Sequence, residues 1–192
     1  MSSRRNPKIV GIGGTIRAGS TTETALICSL KRADELGAET RLFGGEFLAR
    51  LPIYDPRTAD PTPEQQALVE AVRSADGIIL ASPGYHGSVS GVVKNALDTL
   101  ELTAKDGAPY FHGRPVGVIV TAYGWQATAS TLMALRAIVH AMRGWPTPFG
   151  AGLNSTAGLF DGTGACGDPK DAWALNTVAE QVLEFATLRN GS

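Results

Sequence analysis

Cysteine is scarce in this chain: only Cys28 and Cys166, far apart, with neither a CxxC nor a metal-ligand spacing. Cys28 falls inside a helical apolar pattern and reads as a small core residue, not a nucleophile. Histidine is almost as rare, and no cluster of His, Cys, Asp and Glu suggests a metal. Neither sign of charge dominates. With 17 basic and 18 acidic residues the net charge is −1. There is no basic stripe to follow a nucleic acid and no acidic surplus for electrostatic docking. Long hydrophobic runs are missing, which excludes a helical membrane span. The basic start, MSSRRNPK, is not followed by a long apolar segment and cleavage site, so it does not read as a signal peptide. A cytoplasmic, reduced setting is the expectation. No internal repeat, low-complexity tract or linker appears.

What is present suits one compact domain over residues 1–192. The chain is 43% hydrophobic and 18% charged, enough to bury a five-stranded sheet. Residues 7–13 read as a first strand. A capping-box spacing at Ser20 to Glu23 (STTE) opens a helix with Ala25, Leu26, Cys28, Leu30, Ala33 and Leu36 on its apolar face, ended by Gly37. Thr40–Phe43 reads as a short strand, and 44–61 as loop. Thr62, Pro63 and Gln65 form a strong helix start. Residues 77–81 (GIILA) and 115–121 (PVGVIVT) are apolar enough for strands buried on both faces. Helices are expected over 90–102 and 127–142, a last short strand over 145–150, and a final helix from Asp168-Pro169 to about Thr187. Strand and helix alternate, which predicts an α/β fold with a parallel sheet covered on both faces.

Ligands in such sheets sit beyond the carboxyl ends of the strands. The loops there are 13–20, 82–89 and 121–126. The first belongs to GGTIRAGSTTE (13–23), which follows the apolar run KIVGI (8–12). Glycines admit a close ligand, Thr15, Ser20, Thr21 and Thr22 bring hydroxyls, and the new helix brings free N–H groups. Arg17 adds a planar, permanent charge suited to phosphate. A nucleoside-triphosphate P-loop needs Lys where Ser20 stands. A dinucleotide fingerprint counted from Gly11 and Gly13 needs a third Gly where Ile16 stands. Both are rejected on residue identity. The second loop is SPGYHGS (82–88) and the third TAYGWQA (121–127), each with Gly and aromatics. A phosphate cradle facing two such loops fits a flat ring that carries a phosphate.

Two motifs, GGTIRAGSTT at 13–22 and SPGYHGSVSGVVKNALDTL at 82–100, together resemble the NAD(P)H-dependent FMN reductases. The resemblance implies a flavodoxin-like three-layer sandwich with a five-stranded parallel sheet, FMN as cofactor and NADPH or NADH as co-substrate. By the family's first-loop pattern, Thr15, Arg17, Ser20 and Thr22 hold the phosphate, with Thr21 beside them. Pro83, Gly84, Tyr85, His86 and Gly87 then line the flavin ring, joined by Thr121, Tyr123 and Gly124. Gly84 and His86 depart from the family's Pro-Glu-Tyr-Asn-Gly-Ser, so backbone contacts are expected there. The implied reaction passes hydride from nicotinamide to flavin N5, with no obligatory side-chain acid or base. No catalytic residue is assigned. Lys94, Asn95 and Asp98 are expected to face solvent or support the second loop. The reduced flavin serves a small acceptor (quinone, azo or nitro compound) or leaves for a flavin-dependent monooxygenase. A flavodoxin-type carrier is the alternative. A homodimer or homotetramer is expected, with contacts from 90–102 and 44–61.

Overall fold

The computed structural model describes residues 5–57, 60–155 and 158–190. Its elements run β1 (Lys8–Gly13), α1 (Thr21–Glu35), β2 (Glu39–Phe43), α2 (Gly45–Arg50), α3 (Pro63–Ser74), β3 (Gly77–Tyr85), β4 (Ser88–Val89) and α4 (Gly91–Thr99). A 3₁₀ turn (Leu100–Thr103), β5 (Pro115–Ala122), α5 (Trp125–Ala141), β6 (Trp145–Pro146), β7 (Ala151–Asn154) and α6 (Pro169–Asn190) follow. The sheet order is β2-β1-β3-β5-β6, with every neighbour parallel.

The expected five parallel lanes are there, but the sheet has seven strands. β7 also pairs with β5, beyond β6, so the last lane is split. The single strand expected over 145–150 is therefore two short ones, Trp145–Pro146 and Ala151–Asn154. The seventh strand, β4, turns back antiparallel on β3.

Alternation along the central strands divides the core into two layers. Val10, Ile12, Ile78, Leu80, Val116, Val118 and Val120 pack under α3, α4 and α5. Ile9, Ile79, Ala81 and Ile119 pack under α1 and α6. Residues buried on both faces explain the unbroken apolar runs. The α1/α6 layer also uses absence of bulk: a Cβ on Gly117 would stand 2.5 Å from Val178 of α6.

The helix starts follow their sequence signals. Thr62 caps α3 with a complete capping box and Pro63 in the first turn. At α1 the box is only half made. The Ser20 hydroxyl accepts from Glu23 N at 3.3 Å, while the Glu23 side chain is engaged elsewhere. Three further expectations change. The 44–61 loop contains α2, a helix too short to show a periodicity. The 90–102 helix tightens to a 3₁₀ turn after Thr99. Leu36 is the C-terminal cap of α1 and is exposed.

At the amino ends of the strands, Asp76 ties β1 to β3. It accepts from Lys8 N at 2.8 Å and from both terminal nitrogens of Arg5 at 2.6 and 2.7 Å. Burial alone pushes this carboxyl up, but Arg5 and the Lys8 amide outweigh it and hold it below the ordinary value. A lowered carboxyl stabilises the fold fully above the unfolded value of about 4 and loses that contribution as pH falls through the folded value. Stability measured by urea melts should therefore decline below about pH 4. Asp76→Asn should be less stable at neutral pH and show a shallower acid decline.

Candidate active site

β1, β3 and β5 end side by side, and their ends form one cleft. Its walls are Thr15, Arg17, Ser20, Thr21 and Thr22 from the first loop, Pro83, Gly84 and Tyr85 from β3, and Thr121 to Tyr123 from β5, with Ser155. The cleft measures about 180 Å³. Ten of the thirteen residues expected from the sequence meet here. His86, Gly87 and Gly124 do not line it, whereas Ala122 and Ser155 do and were not foreseen. Ser155 follows β7, which lies past the strand expected over 145–150.

The first loop presents donors. The Ser20 hydroxyl oxygen accepts from Glu23 N, leaving its hydrogen free. Thr15 Oγ1 accepts from Arg17 N at 3.1 Å. Thr22 and Thr121 share a hydrogen bond of 2.6 Å between their buried hydroxyls, which joins α1 to β5. Two hydroxyls bonded to each other use one hydrogen, so the second can still be donated. The amides of Thr21 and Thr22 lie in the first turn of α1, where no intrahelical acceptor exists. The Arg17 guanidinium is exposed and forms no ion pair among the described residues. No acidic side chain lines the cleft.

Glu23 is near the loop but faces away from the cleft. Its buried carboxylate accepts from Gly19 N at the loop's end and from Gly45 N at 2.7 Å. It thus braces the loop against the start of α2. The fit is close: a Cβ on Gly44 would strike Glu23 Oε1, and one on Gly45 would stand 2.7 Å from the Arg17 backbone. The adjacent glycines at 44 and 45 were the sequence signal for this contact.

The second loop is more regular than a loop. Residues 82–85 continue β3, pairing with β5 through Pro83 and Thr121. Tyr85 then pairs with Ser88 across a two-residue turn, His86 at φ 52° and Gly87 at φ 79°. Positive φ at both positions makes a type I′ hairpin, whose usual sequence is Asn-Gly. His86 occupies the Asn position, and its place in the fold is that of a turn residue. The buried Ser82 hydroxyl accepts from Ser90 N at 2.9 Å and fixes the hairpin's base. Gly84 packs flush on α5: a Cβ there would stand 2.9 Å from both Ala122 and Thr131. The family's Glu has no room at that position. In the third loop, Gly124 N donates to Asn154 Oδ1 at 3.2 Å, joining that turn to β7.

Asn95 supports a different segment from the one expected. Its Oδ1 accepts from Tyr54 N at 2.8 Å and its Nδ2 donates to Pro52 O at 3.0 Å, so it clamps LPIYD (51–55). Lys94 and Asp98 form an exposed ion pair. Among the described residues there is no group of three or more His, Cys, Asp or Glu side chains placed to hold a metal, and no helix long and apolar enough to cross a membrane.

The sequence pattern of the NADPH-dependent FMN reductases matches residues 7–156, which include all three strand ends of the cleft. The chain belongs to this family. It is thus an oxidoreductase that works with FMN and a nicotinamide nucleotide. This FMN reductase family member is 33% identical over 184 residues to an FMN-dependent NADPH-azoreductase of Staphylococcus saprophyticus, covering 91% of this chain and 92% of the relative. Its fold is flavodoxin-like. It matches FerB, a flavoenzyme NAD(P)H:(acceptor) oxidoreductase from Paracoccus denitrificans, with a TM-score of 0.78 at 22% identity, covering 95% and 98% of the two chains. A flavodoxin, WrbA-like protein from Agrobacterium tumefaciens matches with a TM-score of 0.60 at 15% identity, over 95% and 98%.

Glu23→Ala in this reductase leaves two amides without an acceptor. It should cost roughly 2–4 kcal/mol in urea melts, with Glu23→Gln retaining part of the loss. A melt within about 0.5 kcal/mol of wild type would remove the bracing role.

Proposed function

We propose that the cleft binds FMN with its phosphate at the first turn of α1 and its ring along β3 and the 121–124 turn. One observation carries this reading: Arg17, the free amides of α1 and several hydroxyls converge where no acidic side chain competes. That donor set suits a dianionic group. Arg17, Thr15, Ser20 and Thr21 hold the phosphate, and Thr22 donates through the hydrogen not spent on Thr121. Pro83, Gly84 and Tyr85 border the ring on one side, Thr121 and Tyr123 on the other. His86, Gly87 and Gly124 act by shaping the turns that carry these residues. When bound, FMN supplies two-electron chemistry between a nicotinamide nucleotide and an acceptor.

The electron donor we assign is NADPH, and the acceptor a planar aromatic such as an azo compound. The relative of Staphylococcus saprophyticus supports both. Tyr85 and Tyr123 are exposed at the rim and offer aromatic faces to such an acceptor. Asn95 positions the 51–55 segment, whose Ile53 is exposed.

We also assign a second copy of the chain to the outer face of α5. Trp125, Ala129, Met133, Ala137 and Ala141 are exposed at four-residue intervals, without a charged side chain on that stripe. The stripe leads into a groove lined by Tyr54, Leu97, Ile138 and Met142. Small residues at this spacing let two helices approach closely. The groove brings in both segments expected from the sequence, 90–102 through Leu97 and 44–61 through Tyr54. In light scattering the protein should have at least twice the chain mass, and Met133→Lys with Ala137→Lys should return it to the monomer. A wild-type monomer at micromolar concentration would reject the assignment.

Fluorescence titration should show FMN binding weakened about ten- to hundredfold in Arg17→Ala. Unchanged affinity would reject the phosphate placement. The FMN-loaded protein should oxidise NADPH faster with an azo dye than with free FMN or riboflavin. The opposite ranking would make it a supplier of reduced flavin to a partner such as a monooxygenase.

A further inference from the structure

The two cysteines, remote in sequence, are neighbours in the fold. Cys28 lies on α1 and Cys166 in the segment between β7 and α6. The Cys28 thiol donates to Gly164 O at 3.5 Å, two residues before Cys166, and both cysteines line the same cleft. Both are half-buried. Both open onto a cleft of about 700 Å³ whose walls include Lys31, Arg32, Glu35 and Thr163. This cleft lies along α1, beyond the turn that forms the anion cradle. The reductase chemistry uses neither thiol.

The segment that carries Cys166 has a shape of its own. The Asp161 carboxylate accepts from Thr163 N at 2.8 Å and Ala165 N at 3.1 Å, and Phe160 bridges to Cys166. Residues 161–163 and 165 are exposed, so the segment can shift without opening the core. A disulfide needs the two sulfurs about 2 Å apart, an approach that a shift of this exposed segment toward α1 can supply.

We propose that Cys28 and Cys166 are a dithiol that peroxide converts into an intramolecular disulfide tying α1 to the 158–167 segment. Cys28 attacks first. Lys31 beside it favours its thiolate, whereas Asp171 and Cys28 disfavour that of Cys166. The Cys28 sulfur takes one oxygen from hydrogen peroxide, giving a sulfenic acid and water. Cys166 then attacks the Cys28 sulfur, and hydroxide leaves as a second water. Two thiols and one peroxide thus give one disulfide and two waters. Burial pushes both thiols up, Cys166 to about 11. The thiolate is therefore scarce, and the first attack on peroxide is slow.

The purified full-length protein, reduced and then treated with hydrogen peroxide, provides the test. Intact mass should fall by two hydrogens (about 2 Da), and a non-reducing digest should contain a peptide joining residues 28 and 166. Titratable thiols should go from two to none, and dithiothreitol should restore both. Cys166→Ser, with its fold checked by circular dichroism, should instead add oxygen at Cys28. The proposal is overturned if both wild-type thiols persist, if each gains oxygen without the joined peptide, or if only disulfides between chains form.

Discussion

A single buried carboxylate holds the loop after β1 in shape. Glu23 accepts one amide from the end of that loop and one from the start of α2, and the glycines at 44 and 45 let those backbones come close enough to be reached. The loop's own hydroxyls and amides then stay available, because the shape they depend on is maintained from behind. A carboxylate spent on structure in this way does not repel a phosphate on the other side. The hydroxyl pair of Thr22 and Thr121 does the same for the central wall, fixing α1 to β5.

The other walls are set by equally local means. β3 runs past the sheet proper and folds back as a type I′ hairpin, so its aromatic tip at Tyr85 rests on ladder hydrogen bonds. Ser82 closes the hairpin's base and Asn154 secures the turn at Gly124. Three strand ends, each held by its own small bond, give the cleft a rigid floor. The rim is left to exposed aromatic side chains, which are free to adapt.

Much of this was legible in the chain because the signals were local. Apolar runs at GIILA and PVGVIVT identified doubly buried strands, and Thr62-Pro63 announced α3 correctly. The cleft residues could be gathered because strand ends bring their loops together whatever the intervening sequence. What stayed hidden depended on contacts between distant positions. Glu23 read as a capping partner, since its bond to Gly45 spans 22 residues and the paired glycines at 44 and 45 do not by themselves name their partner. The strand expected at 145–150 broke in two because its pairing is dictated by β5. Cys28 and Cys166 looked unrelated, since α1 and the segment after β7 meet only in the folded layer. His86 was expected to line the ring, but its positive φ places it in the turn of the hairpin.

The split last lane has a consequence of its own. β6 and β7 are each in register with β5 independently, Pro115 opposite Trp145 and Ile119 opposite Ala151. In an unbroken strand, one inserted residue would turn every later side chain to the other face. Here the pairing offset to β5 grows by two residues across the break, from Pro115/Trp145 to Ile119/Ala151, an even step that leaves the alternation of faces intact. The two added residues are held by Thr147 and Phe149, so the outer lane bends between its two pairings and still delivers Ser155 to the cleft.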